Sequence, residues 1–476
     1  MQTQIENLQK QIDALKAQAQ AQAQAQTQSA SGNIPSARDM QNRIADATGV
    51  KMTVGGFIET AGIYRNKNET ADVGSSFNTG IPFNSAQNAH QSEFRESARQ
   101  SRLSLLAEGQ VNPDTDVKAY FESDFLGAGA SSNSQESNSY TPRLRQAFAQ
   151  IDRNDFGFHV VGGQTWSLVT MDTQGIIARK EDVPLTIDAQ YVPGFNWTRN
   201  TELRLVKDFD QKVWLGLSAE SPQVANSAGG ATTTASPNPA TGYNVGGSLL
   251  NSTTSYSSDV APDIVAKVAV DPGWGHYEVF GIGRWFHDNV TTGAGSSTNY
   301  HNNTAFALGG GAGMILPVVP KMLDVHATVM LGHGIGRYGS AQLPDVGFNA
   351  AGKVEPTKEI TALVGVTGHP DPSWDLYLYG GMEKVMRQDY VNGVGFTSTA
   401  SFASCYQEGG TCGASTASVW QVTPGVWKHV YEGDFGKVLV GLQGSATRRN
   451  AFSDVSGGTA PHAIEEIGMA SLRYYF

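Results

Sequence analysis

The feature that most constrains this chain is the way its connections alternate in length. From Val50 onward the apolar residues recur with period two, and sixteen segments, from Val50–Tyr64 to Ala463–Phe476, are predicted as strands. Seven of the links between them are short and rich in turn formers: Asn112-Pro113-Asp114, Asp152 to Asp155, Asp208-Phe209-Asp210, Asp271-Pro272-Gly273, Pro317 to Pro320, His369 to Pro372 and Glu432-Gly433-Asp434. Between these lie eight longer polar segments, such as Asn66 to Glu96, Gln223 to Pro262 and Gln388 to Ala417. A soluble sandwich has no reason to interleave short and long loops, whereas a barrel whose two rims face different compartments does. The expected fold is therefore all-β: a 16-stranded antiparallel transmembrane β-barrel over 50–476.

The last strand shows the same logic within one element. Gly468, Ala470, Leu472, Tyr474 and Phe476 share a face fit for lipid, and Ile467, Met469, Ser471, Arg473 and Tyr475 share the other. Leu323–Tyr338 and Val354–Thr367 are predicted as further wall strands, with Gly332 to Gly336 as small residues on the pleat. Charges sort the same way. Arg102, Lys118, Arg204 and Lys267 each alternate with apolar neighbours, and a midplane Arg or Lys facing lipid costs about 2–4 kcal/mol, so they are assigned to a water-filled lumen. Glu108, Glu122, Asp124 and Glu202 take inward positions too, so some of these charges are expected to pair across strands. His326 reads as a solvated lumen residue beside Asp324.

The formal net charge of -11 argues against a nucleic-acid partner, since phosphate binding needs a basic surface. No cofactor motif, metal-ligand spacing or catalytic constellation is present in the sequence, so no enzyme is expected. The competing classes are a barrel hydrolase and a barrel that merely anchors the envelope. Met1, Ile5, Leu8, Ile12 and Leu15 follow a heptad pattern. Residues 1–28 are read as a periplasmic coiled-coil α-helix and 29–49 as a linker. Cys405 and Cys412, close together in a Gly/Ser-rich segment, are expected to form a disulfide. The connection 169–193 carries Asp172, Arg179, Lys180, Glu181, Asp182 and Asp188; by its place as the third long loop it is expected to fold inward and narrow the channel.

Several motifs, taken in order, resemble the DcaP-like porins of Gram-negative outer membranes and, more distantly, the phosphate-selective porins. They are the N-terminal heptad with its Gln/Ala stretch, Val54-Gly55-Gly56-Phe57-Ile58, Ser101-Arg102-Leu103, Gly163-Gln164-Thr165-Trp166-Ser167, and the closing Leu472-Arg473-Tyr474-Tyr475-Phe476. The resemblance implies a homotrimer set among outer-membrane lipid and lipopolysaccharide, with passive uptake of small anionic solutes such as dicarboxylates. With the inward charges it points to Arg102, Arg143, Arg145, Arg179, Lys180 and Arg204 as a basic pore constriction. The acidic net charge means that any anion preference must arise locally at that constriction.

Overall fold

The computed structural model describes residues 49–476 apart from 128, 130–134, 136, 138–139, 189–190, 226–244, 247–254, 293–296, 298, 350–351, 389–401, 455–457 and 459. The predicted coiled coil over 1–28, and all of the linker but its last residue, lie outside the described residues. By contact density Met1–Thr53 with Ala107–Gly109 forms one unit, and Val54–Leu106 with Gln110–Phe476 forms the other, which holds the barrel.

One antiparallel sheet of seventeen segments makes the wall. Glu93–Ser97 and Arg102–Asn112 both pair with the first strand and are two halves of the second, which leaves sixteen wall strands. These are β1 (Val50–Arg65), β2 (the two halves just named), β3 (Thr115–Asp124), β4 (Arg143–Arg153), β5 (Phe158–Trp166), β6 (Arg199–Phe209), β7 (Val213–Glu220) and β8 (Asp263–Val270). The second half comprises β9 (His276–Thr292), β10 (Asn299–Val319), β11 (Leu323–His333), β12 (Lys358–Asp371), β13 (Trp374–Val385), β14 (Thr416–Gly433), β15 (Gly436–Ala451) and β16 (His462–Tyr475). Phe57–Arg65 of β1 pairs with Ile467–Tyr475 of β16. That pairing closes the sheet, so every wall strand has two neighbours and no ladder edge is left to satisfy.

Side-chain burial follows the pleat as the sequence predicts. On β16, Glu465, Ile467, Met469 and Ser471 are buried, while Leu472 is 51% exposed and Tyr474 and Phe476 also face out. Outward Leu203, Leu217, Phe306, Leu331, Val364, Leu378 and Leu442 extend the apolar belt around the wall. A closed sheet that is apolar outside and charged inside has the polarity a bilayer requires and water does not.

Among the departures from the predicted strand bounds, two shorten a strand by four residues or more at one end. β11 stops at His333 instead of reaching Tyr338, because Gly334 has φ +64 and Gly336–Tyr338 turns into a 3-10 helix. The Gly332–Gly336 run is therefore only partly wall. β12 begins at Lys358 rather than Val354. Pro356 has no N–H to give a ladder, and Val354–Pro356 pairs instead with Val346–Phe348 in a separate ribbon. At the long-loop end, Phe77, Ile81, Phe83, Leu343, Phe402, Cys405 and Phe452 pack into one apolar cluster. Cys405 and Cys412 are bonded there, with Cα atoms 4.3 Å apart.

Candidate functional site: an arginine wall facing an inward loop

After Trp166 the chain leaves the wall, and Ser167 N–H donates to Thr198 O (3.0 Å), pinching together the two ends of the connection to β6. The described residues between them run across the lumen. Leu168, Val169 and Ile176 pack on inward Val206, Trp214, Val265 and Ile282. Asp172 and Glu181 bridge to make a hairpin, and its Asp172 meets Lys267 of β8 at 3.2 Å, which in turn holds Glu278 of β9 at 3.0 Å. Asp182 lies 2.9 Å from His326 Nδ1 on β11.

Further along, Leu185 N–H donates to the Tyr379 hydroxyl of β13 (3.2 Å), and Leu185 O accepts from the Trp427 indole of β14 (2.7 Å). Ile187 N–H donates to Gln443 Oε1 of β15 (2.7 Å), and Ile187 O accepts from Arg473 of β16 (3.2 Å) and from Gln100 beside β2 (3.1 Å). The return path is anchored by Gly194 N–H on Glu383 Oε1 (2.8 Å) and by Thr361 on Asn196. Gly194 has φ +87, and a Cβ there would overlap Ala362 O, so this seat against β12 needs glycine.

His326 is thus corrected from a solvated wall residue to a clamp on the loop. Its ring reaches inward, where Asp182 and Thr367 take both nitrogens.

Facing the loop, β2 to β6 carry the charges. Glu122 and Asp124 on β3 stand among three arginines. Arg143 grips Asp124 with two bonds (2.9 and 2.7 Å), Arg145 reaches Glu122 (2.5 Å) and Asp124 (3.0 Å), and Arg102 lies 3.8 Å from Glu122. Arg145 and Gln146 are both buried although adjacent, because the β3–β4 register slips between Glu122 and Ser123. That bulge adds a residue on β4 and turns Arg145 inward. The remaining candidates are more dispersed. Arg179, exposed on the hairpin with φ +73, places its guanidinium 4.5 Å from the Tyr120 ring of β3, and Tyr120 donates to Glu122 (3.1 Å). Lys180 is exposed beside it. Arg204 is buried at the loop's root against Glu202 (2.8 Å) and Trp166 O, apart from the cluster.

Sequence reasoning missed two arginines. Arg473 bonds Glu59 (2.9 Å) and covers the rings of Phe57 and Trp427 at 4.7 and 4.6 Å. Its inward parity on β16 was the available signal. Arg199 has the parity of outward Leu203 and Leu205, but at the start of β6 the chain is still emerging from the lumen. There its guanidinium feels the charges of Arg102, Arg143 and Arg145. Between the loop and this wall lies a cavity of about 770 Å³ lined by Gln100, Arg102, Leu185, Trp427, Lys437 and Arg473, among others. Among the described residues no group of three His, Cys, Asp or Glu is placed to hold a metal ion.

The loop's own acids are unusual. Burial pushes the Glu181 carboxyl up to about 7 and the Asp188 carboxyl up to about 6, and raises Asp172 despite the Lys267 ammonium beside it. Folded values above the unfolded ones mean that the docked loop is most stable at low pH and loses stability as pH rises through about 4 to 7. Acidification also removes negative charge from the lumen. The ratio of anion to cation permeability is expected to rise when pH falls from about 8 to about 5. Reversal potentials measured at both values check this, and an unchanged ratio would contradict it.

No protein-family model matches the chain, and no curated protein matches it in sequence. Among solved structures it is similar to the outer membrane channel DcaP of Acinetobacter baumannii, at 16% identity with a TM-score of 0.62, covering 90% of this chain and 98% of that one. An anion-selective porin from Comamonas acidovorans aligns at 9% identity and TM-score 0.48, over 90% of this chain and 100% of that chain. OmpF of Salmonella typhi aligns at 11% and 0.48, over 90% and 98%. The DcaP match shows a shared fold, that of an outer-membrane channel.

Proposed function

We propose that this chain is an outer-membrane porin that lets small hydrophilic solutes diffuse passively and favours small anions such as dicarboxylates. The observation that carries the reading is the inward loop. A sixteen-stranded barrel is wide enough to leave an aqueous channel, and a loop bonded to β8, β9, β11 and β13 to β16 narrows it against a wall of arginines. At that wall four described guanidiniums, Arg102, Arg143, Arg145 and Arg199, stand with the carboxylates of Glu122 and Asp124, a surplus of two positive charges within this group on a chain of formal charge -11. Low-dielectric walls focus that local field, while charges on the outer loops are screened within about 8–10 Å. Arg179 and Lys180 add to it from the loop side, and Arg204 holds the loop's root.

The same reading makes the protein a homotrimer in outer-membrane lipid and lipopolysaccharide, with residues 1–28 as a periplasmic helix. Liposome swelling tests the transport. Vesicles carrying the purified protein should swell faster in malonate than in a neutral sugar of similar size. Equal rates would leave a porin without anion preference, and no swelling would end the porin reading. Removal of residues 1–30 should leave a folded barrel that still runs as a trimer on a semi-native gel, because the closed wall needs no helix to satisfy its strands. A monomer would make the coiled coil the trimer's main bond.

A further inference from the structure

We propose that Arg199, packed against the neighbouring rings of Trp166 and Trp197, is the principal carboxylate contact in the channel. The inference rests on the porin reading above and assigns its anion preference to one side chain. The Arg199 guanidinium lies 5.0 Å from each of the two indole centroids, and the rings themselves are 5.7 Å apart at 61°. Both platforms are fixed. Trp166 is buried, and the Trp197 indole N–H donates to Ser340 Oγ (3.0 Å). Phe195 stacks on Trp197, with ring centroids 6.4 Å apart.

Within the arginine cluster, Arg102, Arg143 and Arg145 all have carboxylate partners on β3. Arg199 has none. Among the described residues its guanidinium donates no hydrogen bond, and its Nη1 is buried without an acceptor. A guanidinium carries five N–H donors, and a buried donor with no acceptor costs about 1–3 kcal/mol. Three further arginines nearby add like-charge repulsion. Such a group is stable where an external anion completes it. Arg199 is only half-buried, so part of its side chain stays open to solvent.

The geometry selects the chemistry of the guest. With no acceptor of its own among the described residues, the guanidinium keeps its planar fork of N–H donors for a guest, and that fork suits the two oxygens of a carboxylate better than a spherical halide. The contact must also be short-lived, since a solute held tightly blocks the channel it should cross.

The test uses the full chain in planar bilayers, with KCl as electrolyte and sodium malonate as the added probe. For wild type we expect concentration-dependent current interruptions by malonate. Arg199→Gln should weaken this block about tenfold, as loss of a charge-assisted two-point contact implies. Arg199→Lys keeps the charge without the fork: it should preserve the KCl reversal potential while losing most of the malonate block. Both variants must run as heat-modifiable folded barrels on gels, and if Arg199→Gln does not, Arg199→Lys alone decides. Malonate block unchanged in Arg199→Lys, or stronger than in wild type, would overturn the assignment. A wild-type channel that selects cations in KCl would instead overturn the underlying anion preference, so the two failures are distinguishable.

Discussion

Replacing Lys267 with methionine should lower the barrel's resistance to heat unfolding and free the inward loop, at a cost of about 3–5 kcal/mol. The ammonium is fully buried between Asp172 (3.2 Å) and Glu278 (3.0 Å) and also donates to Thr170 O (2.7 Å). Without it the two carboxylates lose the ammonium they share and keep only the His276 ring, 3.3 Å from Glu278, and the more distant charge of Arg204, so one must take a proton or leave. The loop end, tied by fewer bonds than the wall, is the part that moves. Open-channel current should become noisier as a result. Adding Asp172→Asn and Glu278→Gln to Lys267→Met removes the stranded charges and should restore much of the lost stability, since a buried ion cluster and a neutral one of similar shape differ little. Heat-modifiability gels check both variants. A single Lys267→Met that unfolds at the wild-type temperature with quiet current would mean the loop is held elsewhere.

The second large effect is on selectivity. Substituting Arg102, Arg143 and Arg145 by serine leaves Arg199 alone against Glu122 and Asp124, so a local surplus of two positive charges becomes a deficit of one. The reversal potential in a KCl gradient should change sign toward cations, and conductance should rise as three long side chains leave the constriction. Arg145 is buried, so its loss also strands Glu122 and Asp124; adding Glu122→Gln and Asp124→Asn separates charge from misfolding. With those two carboxylates neutral the channel should return toward anion preference. A triple serine variant that keeps the wild-type sign would place the selectivity outside this cluster.

The parts of this architecture that were legible in the sequence are those governed by the pleat. Period two places Leu472 outside and Ser471 inside on β16, and the same alternation sends Arg102 and Lys267 to the lumen. Turn chemistry marks the seven short links because proline, glycine and aspartate act locally. What was hidden depends on contacts far apart in the chain. The bulge that turns Arg145 and Gln146 to the same side arises from the β3–β4 register, and no single-strand pattern encodes it. His326 looks like any lumen residue until Asp182, 144 positions away, comes to rest on it. Arg199 carries an outward parity that fails because its strand begins inside the lumen. The breaks at Gly334 and Pro356 had visible residue-level causes, yet the apolar pattern running past them masked the ends of β11 and β12.

The most direct measurement of the central claim is the reversal potential of single channels formed by the purified wild-type chain in a planar bilayer under a KCl gradient at neutral pH. An open barrel narrowed by the 169–193 loop against Arg102, Arg143, Arg145 and Arg199 predicts steady conductance with a reversal potential of anionic sign. A reversal potential of cationic sign at low salt would contradict the arginine constriction, and the absence of any channel current would contradict the porin itself.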